Sequence, residues 1–105
     1  MRRRFGKIIN ELAKKDDKIV LIVGDIGYGI FDDFRKEHPR KFFNLGVCEQ
    51  TMISFASGVA LEGLKPWVYT ITPFLIERPF EQIKLDIDQQ NVNVNLVGFA
   101  DYPTL

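Results

Sequence analysis

The stretch Phe42-Phe43-Asn44-Leu45-Gly46-Val47-Cys48-Glu49-Gln50 decides how this chain reads. Its apolar start is a short buried strand. Gly46 supplies a turn, and Glu49 opens a run of apolar and small residues that reads as a helix to about residue 61. A carboxylate where a strand hands over to a helix is stabilised by the helix N-terminus. Such a group can do proton chemistry on a bound ring. It is equally an ordinary acid of a first helical turn, and spacing alone leaves both readings open.

Upstream, Phe5, Ile8, Ile9, Leu12 and Ala13 fall on one face of a helix over residues 3 to 15, which Asp16-Asp17 ends. Ile19-Val20-Leu21-Ile22-Val23 is a continuous apolar run, as expected of a strand covered on both faces in a parallel sheet. The loop from Gly24 to Gly29 holds three glycines in six residues. A short helix over 30 to 37 follows, ended by Pro39, and the second strand covers 41 to 45.

Downstream, the helix from Glu49 carries Ser54, Ala56, Ser57, Gly58 and Ala60, small enough for close packing, and Gly63 stands where a helix C-cap belongs. Residues 67 to 71 read as a third strand. The spacing of Phe80, Ile83, Leu85 and Ile87 predicts one helix over 75 to 89, and residues 92 to 99 read as a fourth strand. Strand and helix alternate throughout, which predicts an α/β fold: a parallel sheet with helices on both faces. Asp101-Tyr102-Pro103-Thr104-Leu105 follows the last strand with no closing helix. The expectation is part of a domain over 1–105, incomplete at the C-terminus, or a domain completed by a partner.

At 105 residues the chain is one small domain at most. Its 14 acidic and 14 basic residues cancel, so no global field favours nucleic acid or an anionic membrane. Arg2-Arg3-Arg4 is the one charge run and reads as the solvated first turn of a helix. A single cysteine excludes an internal disulfide and suits a reducing compartment. With no membrane-spanning stretch and no signal-peptide h-region, a cytoplasmic location is expected.

Open α/β sheets bind ligands outside the carboxyl ends of their strands. That rim carries Gly24 to Gly27, Gly46 to Glu49, Thr70 to Phe74 and Gly98 to Asp101. Gly46 lets the backbone come close to a ligand. Asp25 is either an active-site acid or a turn residue bonding locally. Phe74, after Pro73, either stacks on a flat heterocycle or packs at a helix entry. Arg78 and Phe80 either line the same pocket or pack. Gly24-x-x-Gly27-x-Gly29 matches neither a dinucleotide fingerprint nor a P-loop. His38 has no second ligand nearby and is not a metal site. Cys48 has no histidine partner and reads as a small packing residue.

These segments together resemble the transketolase family. Residues 6 to 13, Gly-Lys-Ile-Ile-Asn-Glu-Leu-Ala, are similar to the opening helix of its pyrimidine-binding domain. Arg40-Lys-Phe-Phe-Asn-Leu-Gly-Val-Cys-Glu-Gln-Thr-Met, residues 40 to 52, resembles its central motif almost position by position. Residues 56 to 66 resemble the following helix and turn, and Thr72 to Leu75 with Phe80 to Ile83 resemble its cofactor-stacking segment. The resemblance covers nearly the whole chain and implies the thiamine-diphosphate-binding fold.

It also implies roles. Glu49 would hydrogen-bond the pyrimidine nitrogen of thiamine diphosphate and favour its imino form, which removes the thiazolium proton. Phe74 would stack on the pyrimidine, and Asp25 would give polar contacts. The diphosphate and its Mg²⁺ are held, in the family, by a Gly-Asp-Gly…Asn type motif on another domain, which is not found here. The resemblance therefore implies a partner, an N-terminal half-subunit or domain, within a homo- or hetero-oligomer. The implied reaction is two-carbon ketol transfer between sugar phosphates. Part of a 2-oxo acid dehydrogenase β-subunit, a deoxyxylulose-phosphate synthase and a non-catalytic assembly module of the same fold are the alternatives. A flavodoxin-like regulator lacks its acidic cluster here.

Overall fold

Five consecutive apolar residues need cover on both faces, and β1 (Ile19–Val23) is buried along its whole length. In the computed structural model, which describes residues 1–100, it lies inside a four-stranded sheet of order β2-β1-β3-β4. Asp101 and the expected break-off at Leu105 lie outside the described residues. β2 (Phe42–Asn44), β3 (Lys65–Ile71) and β4 (Asn95–Phe99) all run parallel to their neighbours. Leu21 pairs with Phe42 on one side and Trp67 on the other.

Helices cover both faces. α1 (Arg2–Lys15) and α2 (Asp32–Glu37) bring Ile9, Ala13 and Phe34 against Ile19, Leu21, Val23 and Tyr69. On the other face α3 (Glu49–Leu61) brings Met52, Ile53 and Ala56 against Val20, Ile22 and Val68. The alternate residues of β1 serve the two cores, as strand geometry demands. α3 ends as expected at Gly63 (φ 88), where Gly63 N–H donates to Ala60 O and Leu64 N–H to Val59 O. That bond pair is a Schellman cap.

The single helix expected over 75 to 89 is not formed. α4 (Thr72–Ile76) stops, Glu77 to Pro79 turn, and α5 (Phe80–Gln82) continues into a π-helix (Ile83–Asp88). Pro79 is the cause. It has no N–H to donate, its ring clashes with the carbonyl four residues back, and it disfavours a helical Arg78. The break leaves Phe80 65% exposed, whereas Ile83 and Ile87 pack on the second core. The small residues of α3 meet the π-helix: Ser57 Oγ donates to Asp86 O at 2.8 Å and Ser54 Oγ to Asp86 Oδ2 at 2.6 Å. β4 begins at Asn95, three residues later than expected, because Val92 N–H still bonds Ile87 O and Asn91 turns at φ 53.

Candidate functional site

Parallel strands deliver their carboxyl ends, and the loops after them, to one rim. β1 and β3 are adjacent, yet α2 after β1 packs on one face and α4 after β3 on the other. Such a divergence opens a crevice at the rim. α3, entered from β2, places its first residue there.

That residue, Glu49, is 5% exposed. Its Oε1 accepts a hydrogen bond from Arg78 Nη1 at 3.2 Å, while Oε2 is buried with no partner among the described residues. A buried carboxylate oxygen is normally satisfied, so this is an acceptor in want of a donor. Arg78 reaches Glu49 because Pro79 breaks the helix. Gln50 Nε2 donates to Arg78 O at 3.3 Å and ties the break to α3. The Arg78 guanidinium carbon lies 3.5 Å from the centre of the Phe74 ring, a cation–π contact. An open depression of about 530 Å³ is lined by Val47, Cys48, Glu49, Gln50, Thr51 and Arg78.

Arg78 thus touches both Glu49 and Phe74, though Phe74 does not itself line the depression. Gly46 stands at the turn into α3 with φ 78 and nothing within 4 Å of a would-be Cβ, so its backbone is open to approach. Asp25 lies on the neighbouring loop at φ 57, and its carboxylate accepts a hydrogen bond from the Tyr28 hydroxyl. Asp25 beside it pushes the Tyr28 phenol up from its ordinary pKa. Phe80 does not line the depression. Cys48 corrects an expectation: it is exposed and lines the depression, because the turn after Gly46 directs it away from the core. Among the described residues, no group of three or more His, Cys, Asp or Glu is placed to hold a metal.

Two residues with a place at the rim were given none from sequence. Tyr28 lines a second, smaller cavity of about 190 Å³ with Phe31, Arg35, Phe42 and Asn44. Asn44 Oδ1 accepts the N–H groups of Asp25 at 2.8 Å and Gly46 at 3.0 Å. A polar residue ending an otherwise apolar strand was the available signal.

Known proteins match this fold and sequence. A family profile described as the transketolase pyrimidine binding domain matches residues 1–102. The chain belongs to that family. It is similar to a 33.6 kDa protein in the fasciation locus of Rhodococcoides fascians, at 38% identity over 91% of this chain and 31% of that one. It is similar to the 1-deoxy-D-xylulose-5-phosphate synthase of Clostridium perfringens (strain SM101 / Type A), at 41% identity over 88% of this chain and 15% of that one. Among solved structures, a split-gene transketolase, an inactive beta4 tetramer, superposes with a TM-score of 0.84 and 33% identity, over 92% of this chain and 33% of that one. The chain therefore spans a third or less of the length of these relatives. No described helix is long and apolar enough to cross a membrane.

Proposed function

We propose that this chain supplies the pyrimidine-binding part of a thiamine-diphosphate enzyme of the transketolase type, working with a domain or subunit that holds the diphosphate and Mg²⁺. The observation that carries the reading is the unpartnered, buried Oε2 of Glu49 at the sheet's carboxyl rim. A donor is what a protonated ring nitrogen offers. When bound, the cofactor supplies an acidic thiazolium carbon able to take up a two-carbon ketol unit.

This chain's residues bind, orient and hold a proton. Glu49, shielded from water, would hold at Oε2 the proton shared with a bound ring nitrogen. Arg78 fixes the carboxylate through Oε1, leaving Oε2 as the free acceptor. Phe74 offers a face for the pyrimidine. The Arg78 guanidinium lies over that face, and its side chain, 46% exposed, would have room to tilt off the ring while keeping its bond to Glu49. Gly46 would let a ligand approach the backbone, and Asp25 would offer a polar group on the adjacent loop. Phe80, exposed beside this segment, belongs to the surface that meets the partner.

The substrates are sugar phosphates or related ketoses, and the reaction is two-carbon ketol transfer in the cytoplasm. The likeness to a deoxyxylulose-phosphate synthase supports that neighbouring chemistry equally. The likeness to a split-gene transketolase, inactive as a beta4 tetramer, supports dependence on a partner.

The test is Glu49→Ala in the assembled enzyme. Ketol transfer is lost while assembly, read by size exclusion, is retained; unchanged turnover removes the reading. Calorimetry of thiamine diphosphate with Mg²⁺ separates the assembly-module alternative. Binding only in the presence of the partner supports the enzyme, and none in either case supports the module.

A further inference from the structure

We infer that Asn44 is a positioning residue, which clamps the loops after β1 and β2 together and so sets where α3 presents Glu49. The inference rests on the cofactor reading above for its consequence, but its geometry is independent of it.

β1 and β2 end side by side, with Val23 paired to Asn44. Leu45 N–H donates to Val23 O at 3.0 Å, and there the ladder stops. Both chains then turn into the left-handed region, at Asp25 (φ 57) and Gly46 (φ 78). Their N–H groups have left the ladder, and one side-chain oxygen takes both: Asn44 Oδ1, at 2.8 and 3.0 Å. An amide oxygen has two lone pairs, so two donors from two loops satisfy it fully.

The clamp is continuous with the site. Gly46 O accepts Cys48 N–H at 2.8 Å, and Cys48 O accepts Met52 N–H at 2.9 Å, across the first turn of α3. Glu49 stands inside that turn. The loops are also in close contact, since a Cβ on Gly24 would lie 3.1 Å from Gly46 O and 2.7 Å from Met52 Sδ. A left-handed Asp25 persists only where its surroundings hold it, and Asn44 holds its N–H. Asn44 itself is exposed at the end of β2 and belongs to neither core cluster. Its loss frees the loops without hollowing the core.

The test compares Asn44→Ala with Asn44→Asp, which keeps the acceptor. By amide hydrogen exchange on the full chain, Asn44→Ala speeds exchange of the Asp25 and Gly46 amides about tenfold, with β1 and β3 amides unchanged. Calorimetry on the assembled enzyme, with thiamine diphosphate and Mg²⁺ as the probe, shows a Kd raised about tenfold. Asn44→Asp restores both. Unchanged exchange in Asn44→Ala, or an Asp variant as impaired as the Ala variant, overturns the clamp. Faster exchange with unchanged cofactor affinity overturns its role toward Glu49. A fully active Glu49→Ala enzyme sinks the cofactor reading instead, and does so without altering the exchange result.

Discussion

Arg78 and Glu49, 29 residues apart in sequence, meet through a single hydrogen bond of 3.2 Å that satisfies one carboxylate oxygen and leaves the other without a partner among the described residues. The asymmetry is what suits the site for a ligand. Arg78 is half-exposed and Glu49 buried, so the guanidinium is the adjustable member of the pair.

The pair is open to a double-mutant cycle. Arg78→Ala leaves the buried Glu49 carboxylate without its donor and lowers stability by about 1–2 kcal/mol. In a Glu49→Gln background the same change costs less, and the difference measures the coupling. Urea unfolding of the four proteins reads it, and additive effects would show that the pair contributes nothing.

Two glycines in helices have opposite demands. A Cβ on Gly6 of α1 would lie 2.5 Å from the Ile30 backbone oxygen, where α1 meets the loop before α2. Gly6→Ala therefore destabilises by about 1–3 kcal/mol through overpacking. Gly58 in α3 has open space and ordinary helical backbone, so Gly58→Ala stabilises the chain by about 0.5–1 kcal/mol. Thermal or urea unfolding should give the two opposite signs.

Tyr69 is fully buried, stacked between Phe5 and Phe99, and its hydroxyl has no partner among the described residues. Burial pushes its pKa up, opposed by the charge of Arg2. The folded chain thus keeps a proton that the unfolded chain releases. Stability is full below the unfolded-state tyrosine pKa and is lost as pH rises through the raised folded value. Tyr69→Phe removes the orphaned hydroxyl, raises stability at neutral pH by about 1 kcal/mol, and flattens the alkaline limb. A destabilised Phe variant would point to an unseen partner for the hydroxyl.

Glu37 on α2 accepts a hydrogen bond from Asn10 Nδ2 of α1 at 2.5 Å, and Lys14 lies 3.7 Å away. The Asn10 bond chiefly, with the charge of Lys14, holds the Glu37 carboxyl below the ordinary glutamate range. Its contribution is present above the unfolded glutamate pKa and is lost as pH falls through the lowered folded value. Glu37→Gln should flatten the acid limb of stability against pH. An identical acid limb in the variant would refute the assignment.

Much of this protein was legible in the chain. The unbroken apolar run at 19 to 23, helical spacing in residues 3 to 15, and Gly63 after a helix are properties of neighbouring residues, and each produced the element expected. Pro79 shows the limit. Apolar spacing reads through it, but a missing N–H and a ring clash act on the backbone whatever the spacing. Cys48 shows another, since its polarity suits burial and only the turn after Gly46 sends it outward.

By itself, then, the sequence determined the alternation of strands and helices, the turn glycines and the candidate acid at the start of α3, because these follow from short-range sterics and periodicity. Only the tertiary structure decided that Arg78 would reach Glu49 and cover Phe74, and that Asn44 would bind two loops at once. Those contacts depend on β1 lying between β2 and β3, and on helices packing across the sheet. That arrangement follows from burying both faces of the sheet together rather than from any local stretch.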